Sequence, residues 1–176
     1  MSKLDSYFAR KAEAVAHLQG DFRANPAAAV VTLTATSKVA GITGARPTRM
    51  GDTVVISDSG PGLAGHALGP TAPEILLGAL ASCLVHTYLL QAVLMNIAID
   101  HVEVTTSGTL DYAAVVGLPY EQPPRMENIT YVAQVETSES PEHIKALHAA
   151  VESNCPVLNT LRFPIEVKYV EAESVQ

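Results

Sequence analysis

The sequence has little charge and no cluster of positive charge. Only 16% of its 176 residues are Asp, Glu, Lys or Arg, and the formal net charge is −7. Its cations are scattered, and even the run Ala45-Arg46-Pro47-Thr48-Arg49 is sparse. Following a phosphate backbone takes a stripe of Lys and Arg, so nucleic acid is excluded as a partner. Cysteine is nearly absent as well: Cys83 and Cys155 are the only two, too few for a disulfide scaffold. The opening residues lack the charged-then-apolar layout and small-residue cleavage site of an export signal, so a cytoplasmic location is expected. There is no Walker lysine after a glycine loop, no Rossmann glycine spacing, no Ser-His-Asp motif, no internal repeat and no low-complexity tract.

What the chain does have is apolar surface, with 48% hydrophobic residues. Ile75 to Met95 runs for 21 residues without a charged side chain. That length can cross a bilayer. Against a membrane span, the run carries Ser82, Cys83, His86, Thr87 and Gln91 and has no basic flank. It reads instead as a helix at the buried centre of a globular assembly, with no membrane partner. A chain of this size buries roughly 70% of its unfolded surface by itself, so a partner chain is expected to cover more.

Leu4, Phe8, Ala12, Val15 and Leu18 share one helical stripe that ends at Gly20, and a linker follows. Residues 1–28 are therefore expected to be a helix and linker ahead of a domain at 29–176. From Ala29 to Asp58 the texture turns to strands, VVTLTATSKVAGI and then TVVISD. The loop SGPGLAGHALGPTAP leads into the apolar helix, whose first turn suits Pro73 and Glu74. IDHVEVTTSGTLDY and NITYVAQVET alternate as strands, and Ser140-Pro141 opens an amphipathic helix. A last strand is expected at FPIEVKYV. Strands and helices come in blocks, which argues for an α+β fold with antiparallel sheets.

The two thiols occupy different settings. Cys83 lies mid-helix in apolar surroundings, where burial raises a thiol's pKa and makes it inert. Reaction at neutral pH requires a cation or directed hydrogen bonds at the sulfur. Arg46 and Arg49 are the chief candidates, and Glu74 could aim a guanidinium. Cys155 precedes Pro156, which cannot continue a helix but can open a new one, leaving Cys155 at its N-cap. Spacing alone does not bring the thiols together. Cys83 and His86 could face one ion, but zinc needs three or four ligands and nothing nearby supplies the rest, so no metal and no cofactor is expected.

Two stretches carry a resemblance. RMGDTVVISDSGPGLAGHALGPTAPEILLGALASCL is similar to the OsmC/Ohr family, the osmotically inducible protein C and organic hydroperoxide resistance proteins. Arg49, Asp58, Gly65, Gly69, Pro70, Glu74 and Cys83 fall in its pattern, and Cys155-Pro156-Val157 matches its second mark. The resemblance implies an OsmC-like α+β fold: antiparallel sheets packed around long central helices in an intertwined homodimer. It also implies that the two cysteines meet near the dimer interface. The implied chemistry is thiol peroxidase. Cys83 attacks an organic hydroperoxide, Cys155 resolves the sulfenic acid as a disulfide, Arg49 stabilises the thiolate and Glu74 orients it. A thiol or dithiol reductant then reopens the disulfide. The alternatives are a non-catalytic dimeric module for a small hydrophobic ligand and a redox-responsive stress protein. Glu74 stands one residue closer to the cysteine than in the hydroperoxide resistance branch, and Arg46 also resembles that branch's arginine position.

Overall fold

The computed structural model describes residues 4–163 and 165–171. Helix α1 (Asp5–Ala24) leads to a 3-10 turn at Pro26–Ala29. Strands β1 (Ala35–Ser37), β2 (Arg46–Met50) and β3 (Thr53–Ser57) form an antiparallel sheet in chain order. A second 3-10 turn, Pro61–Leu63, precedes the long helix α2 (Ala72–Met95). Strand β4 (His101–Leu110), short helix α3 (Tyr112–Val115) and strand β5 (Met126–Glu136) follow, then α4 (Pro141–Asn154) and α5 (Pro156–Arg162). β4 and β5 pair antiparallel as a separate two-stranded sheet. The α+β architecture with antiparallel sheets is thus the one expected.

Local chemistry sets the helix ends. Thr71 caps α2 through a reciprocal box: the Glu74 N–H donates to Thr71 Oγ1 at 3.4 Å, and Glu74 Oε2 accepts from the Thr71 N–H at 2.7 Å. Asn96 closes the helix in the left-handed region at φ 53°, which asparagine tolerates. At α4, Ser140 Oγ accepts from the His143 N–H and Pro141 takes the first helical position. Cys155 ends α4 and also stands at the N-cap of α5, because Pro156 stops one helix and starts the next.

The core is a stripe. Leu80, Leu84, Tyr88 and Ala92 recur every four residues on α2 and meet Leu147 and Val151 of α4, Leu158 of α5, Ile97 and Ile99 of the α2–β4 connection, and Val102 of β4. α1 adds Phe8 to this cluster from outside. α2 is long and apolar enough to cross a membrane, the one such helix among the described residues, and a third of that stretch is buried. Only one flank of the helix is covered within this chain, while Leu76 and Leu94 remain exposed.

Two strand expectations are not met. Only Ala35–Ser37 of the first β-prone run is a strand, and Val30, Val31 and Leu33 before it are highly exposed. Residues 165–171 have no regular structure, with Val167 92% and Tyr169 90% exposed; Pro164 lies outside the described residues. A strand needs a neighbour for its backbone N–H and C=O groups, and neither segment has one among the described residues.

Candidate active site

The loop between β3 and α2 is wound around a carboxylate. Asp58 is 1% exposed; its Oδ1 accepts from the Ser59 N–H at 2.7 Å, and its Oδ2 accepts from the His66 N–H at 3.0 Å and the Leu68 N–H at 3.2 Å. The Leu68, Ser59 and His66 amides hold this carboxyl below the usual aspartate range, against the opposing effect of desolvation. A Cβ at Gly65 would stand 1.8 Å from the Ser59 carbonyl oxygen, and one at Gly69 would stand 2.0 Å from that of Ile56. Backbone passes too close at both positions for any side chain. The winding delivers Pro70 and Thr71 to the start of α2.

Twelve residues beyond Thr71, helix α2 presents Cys83 to the α4–α5 junction. There the Cys155 Sγ–H donates to Cys83 Sγ at 3.5 Å. Both thiols are free, Cys155 fully buried and Cys83 half-buried. A disulfide needs about 2.05 Å between sulfurs, so closure asks for roughly 1.5 Å of approach. Desolvation pushes the Cys83 thiol up, and the neighbouring Cys155 adds to that. The Val157 N–H, in the first turn of α5, and the Thr87 hydroxyl, which donates to the Cys83 carbonyl at 2.8 Å, pull the other way. Among the described residues no cation takes part in this balance.

Arg49 and Glu74 are placed elsewhere in the chain. Arg49 stands exposed in β2, opposite Thr36 of β1 and Val54 of β3, with no ion pair among the described residues. Arg46 donates from Nη1 to the Gly44 carbonyl at 3.0 Å. Glu74 is occupied as the capping carboxylate, accepting from both the hydroxyl and the N–H of Thr71, which hold its pKa down. Nine residues of helix separate Glu74 from Cys83, roughly 14 Å along the axis. Within one chain the structure therefore brings the two cysteines together and leaves Arg49 and Glu74 apart from them. His86, the companion of Cys83 in the two-ligand metal pattern, has its pKa lowered by burial and by Lys11 of α1. No group of three or more metal-ligating side chains occurs among the described residues.

Polar groups absent from the sequence reading flank the thiols. Tyr131 of β5 donates to Glu152 Oε1 at 2.8 Å, and Arg162 Nη2 lies 3.2 Å from the same oxygen. Burial and then the Glu152 carboxylate push the Tyr131 hydroxyl up to about 12. Buried Tyr88 hydrogen-bonds Nδ1 of His148, one helical turn before Glu152 on α4. The spacing His148, Glu152, Cys155 along one helix face was a usable signal; the partners on β5 and α5 had none. Tyr131, Arg162, Leu80, Leu158 and Leu161 line a cleft of about 380 Å³, with Leu80 three residues before Cys83 and Leu158 three after Cys155.

A pair of thiols, one buried and one half-buried, held between a long helix and a helix junction on an α+β frame with antiparallel sheets, defines an OsmC-type fold. The sequence model for OsmC-like protein matches residues 65–170, and the chain belongs to that family. The match takes in both cysteines and begins after Arg46 and Arg49. The fold is similar to that of an OsmC-like protein from Mycoplasma pneumoniae, with a TM-score of 0.64, 20% identity and coverage of 75% of this chain and 88% of that one. An organic hydroperoxide resistance protein from Elizabethkingia anophelis matches with a TM-score of 0.57 and 19% identity, over 79% and 94% of the two chains. The organic hydroperoxide resistance protein OhrB of Bacillus subtilis matches with a TM-score of 0.53 and 20% identity, over 75% and 91%. Identities this low establish a shared fold. No curated protein matches the sequence.

Proposed function

We propose that this protein is a homodimeric thiol peroxidase that reduces organic hydroperoxides. The observation that carries the reading is the 3.5 Å approach of the two cysteine sulfurs across 72 residues of chain. In the first step the Cys83 thiolate attacks the distal peroxide oxygen. The O–O bond breaks, the alkoxide takes a proton to leave as an alcohol, and the sulfur is oxidised to sulfenic acid. In the second step the Cys155 sulfur attacks Cys83 Sγ. The S–S bond forms, the S–O bond breaks, and the hydroxide leaves as water with the proton of Cys155. Two equivalents of a thiol, or one dithiol, then break the S–S bond by exchange, returning Cys83 and Cys155 to thiols and leaving as their own disulfide, which suits a reducing compartment such as the cytoplasm. The apolar surroundings of Cys83 favour a greasy peroxide over hydrogen peroxide.

The cation belongs to the same proposal. Arg49, aimed by Glu74, serves Cys83 across the interface between two copies. What supports this is that the sheet bearing Arg49 exposes Met50, Val54 and Ile56, and that the β-prone segments at 30–34 and 165–170 lie open for pairing. Two copies would bury ~2,000 Å² or more in total. In this reading residues 29–176 form the OsmC-like unit and residues 1–28 are an addition to it. Peptide mapping after one equivalent of organic hydroperoxide tests the chemistry: a Cys83–Cys155 disulfide is expected, and two free thiols overturn it. Light scattering tests the assembly, and a folded monomer at micromolar concentration overturns the obligate dimer.

A second reading has one observation in its favour. A groove of about 710 Å³, lined by Leu63, Leu110, Val115 and Val116 with Arg46 at its edge, suits a small apolar ligand. Titration of free thiols before and after peroxide treatment separates such a binding module from a peroxidase.

A further inference from the structure

Pro156 carries no N–H, so the helical hydrogen-bond ladder halts at Cys155 and resumes where the Asn159 N–H donates to the Cys155 carbonyl at 3.0 Å. Cys155 itself is extended, at φ −77° and ψ 111°. Its soft dihedrals set the angle between α4 and α5, and they turn the residue that carries the buried sulfur. Leu158 seats α5 in the core, yet apolar packing is non-directional and does not by itself fix that angle. Side-chain bonds do. Asn159 Nδ2 donates back to the Ser153 carbonyl at 3.0 Å, and Arg162 Nη2 lies 3.2 Å from Glu152 Oε1. Both reach from α5 to the last turn of α4, so Cys155 lies between the ends of each bridge. Tyr131 of β5 donates to the same Glu152 oxygen at 2.8 Å and fastens the assembly to the sheet.

We propose that Glu152, Asn159 and Arg162 are positioning residues for Cys155: with Tyr131 they lock the α4–α5 kink at the angle that holds Cys155 Sγ 3.5 Å from Cys83 Sγ. The inference rests on Cys155 being the resolving thiol of the proposed peroxidase cycle. An ion pair that merely decorates two helices is the ordinary case, and it contributes little. What sets this one apart is that two bridges span a single pivot, and the pivot bears a thiol. A sulfur carried on an unlocked kink would spend less of its time within reach of Cys83, which lowers the effective concentration of one thiol at the other. The same reach sets how well the disulfide withstands an external thiol. Glu152 and Arg162 are nearly half exposed, so solvent screens their pair. The part-buried bond from Tyr131 to the carboxylate is the stronger anchor.

The test equilibrates full-length protein with mixtures of reduced and oxidised glutathione and measures the Cys83–Cys155 disulfide after acid quenching. In that exchange the two protein thiols lose two electrons and two protons as the S–S bond forms, and one oxidised glutathione becomes two thiols. Glu152→Ala, which frees both Arg162 and Tyr131, should lower the equilibrium constant by about tenfold, or ~30 mV for this two-electron couple. Asn159→Ala removes one hydrogen bond and should lower it by about threefold. Arg162 meets Glu152 through one nitrogen, so Arg162→Lys should stay within about twofold of the parent. A merely structural cluster would lower the melting temperatures of reduced and oxidised protein equally and leave the constant in place. An unmoved constant in Glu152→Ala overturns the inference. Should that variant fail to fold, Asn159→Ala is read by the same criterion. Glutathione exchange involves no peroxide. A parent protein that forms the disulfide but turns over no peroxide would overturn the peroxidase reading while the constant still decides this one. A parent that forms no disulfide even in oxidised glutathione would overturn this inference too.

Discussion

In the helical body of the molecule, Leu80, Leu84, Tyr88 and Ala92 lose nearly all contact with water against Leu147, Val151 and Cys155, whereas in the β1–β3 sheet Met50, Val54 and Ile56 stay exposed. The polar groups divide in the same way. Tyr88, Tyr131, Glu152 and Arg162 are paired inside the body, while Arg49 on the sheet has no ion-pair partner among the described residues. The difference teaches where each part of the proposed chemistry resides. The thiol pair belongs to a region that closes on itself. Its proposed cation belongs to a region that still has surface to cover.

The largest expected effects separate these two contributions. Cys83→Ser should abolish peroxide turnover, since Cys155 is left without the second thiol that the disulfide cycle requires. Arg49→Ala should slow peroxide reaction by ~100-fold, about 3 kcal/mol of barrier, through a raised Cys83 pKa. Yet a thiol oxidant such as diamide should still link Cys83 to Cys155 in Arg49→Ala, because the body alone sets that approach. Stopped-flow peroxide consumption and peptide mapping measure the two outcomes. Loss of the disulfide together with the rate would erase the distinction between the regions. An Arg49→Ala rate equal to wild type would transfer the cation's role to Arg46.

A smaller pair of effects concerns stability. Leu84→Ala opens a cavity in the fully buried stripe and should cost about 2–5 kcal/mol in urea unfolding. Ile56→Glu should instead act through association, making the melting temperature depend on protein concentration more steeply than in the parent. If Ile56→Glu changed neither sedimentation nor its concentration dependence, the exposed sheet would not be the interface.

How much of this was legible in the sequence follows the range of the forces involved. Ser140-Pro141 and Cys155-Pro156 announced helix ends because capping and proline sterics act within a few residues. The apolar run announced α2 for the same reason. Glu74 illustrates the limit: its place in the first turn was legible, and Thr71 three residues earlier is its partner, so the local cap is the role the structure shows. The convergence of Cys83 with Cys155 depends on topology, and it was foreseen only through the family resemblance. The Tyr131–Glu152–Arg162 cluster joins β5, α4 and α5, and no local pattern links those positions. The segments at 30–34 and 165–170 read as strands because β-branched residues alternate there. Within a single chain, alternation supplies a preference without a partner.

The smallest expected effect tests that cluster, the part of the body that the sequence did not reveal. Hydrogen bonds from Tyr131 and from Arg162 hold the Glu152 carboxyl below its ordinary value of 4.5, with burial opposing them. The folded state thus binds fewer protons than the unfolded chain between the depressed and ordinary values. The resulting stabilisation is fully present above the unfolded value and is lost as pH falls through the folded one. Glu152 and Arg162 are each nearly half exposed, so solvent screens much of the interaction and the effect at neutral pH is modest. Glu152→Gln keeps the shape and an acceptor for Tyr131 but cannot titrate. Its melting temperature should lie slightly below wild type at neutral pH, and the gap should close as the pH falls through the acid range. Calorimetry across that range reads the two curves. Parallel curves, with the same gap at neutral and acid pH, would mean that the Glu152 carboxylate charge contributes nothing to holding β5 against the α4–α5 junction.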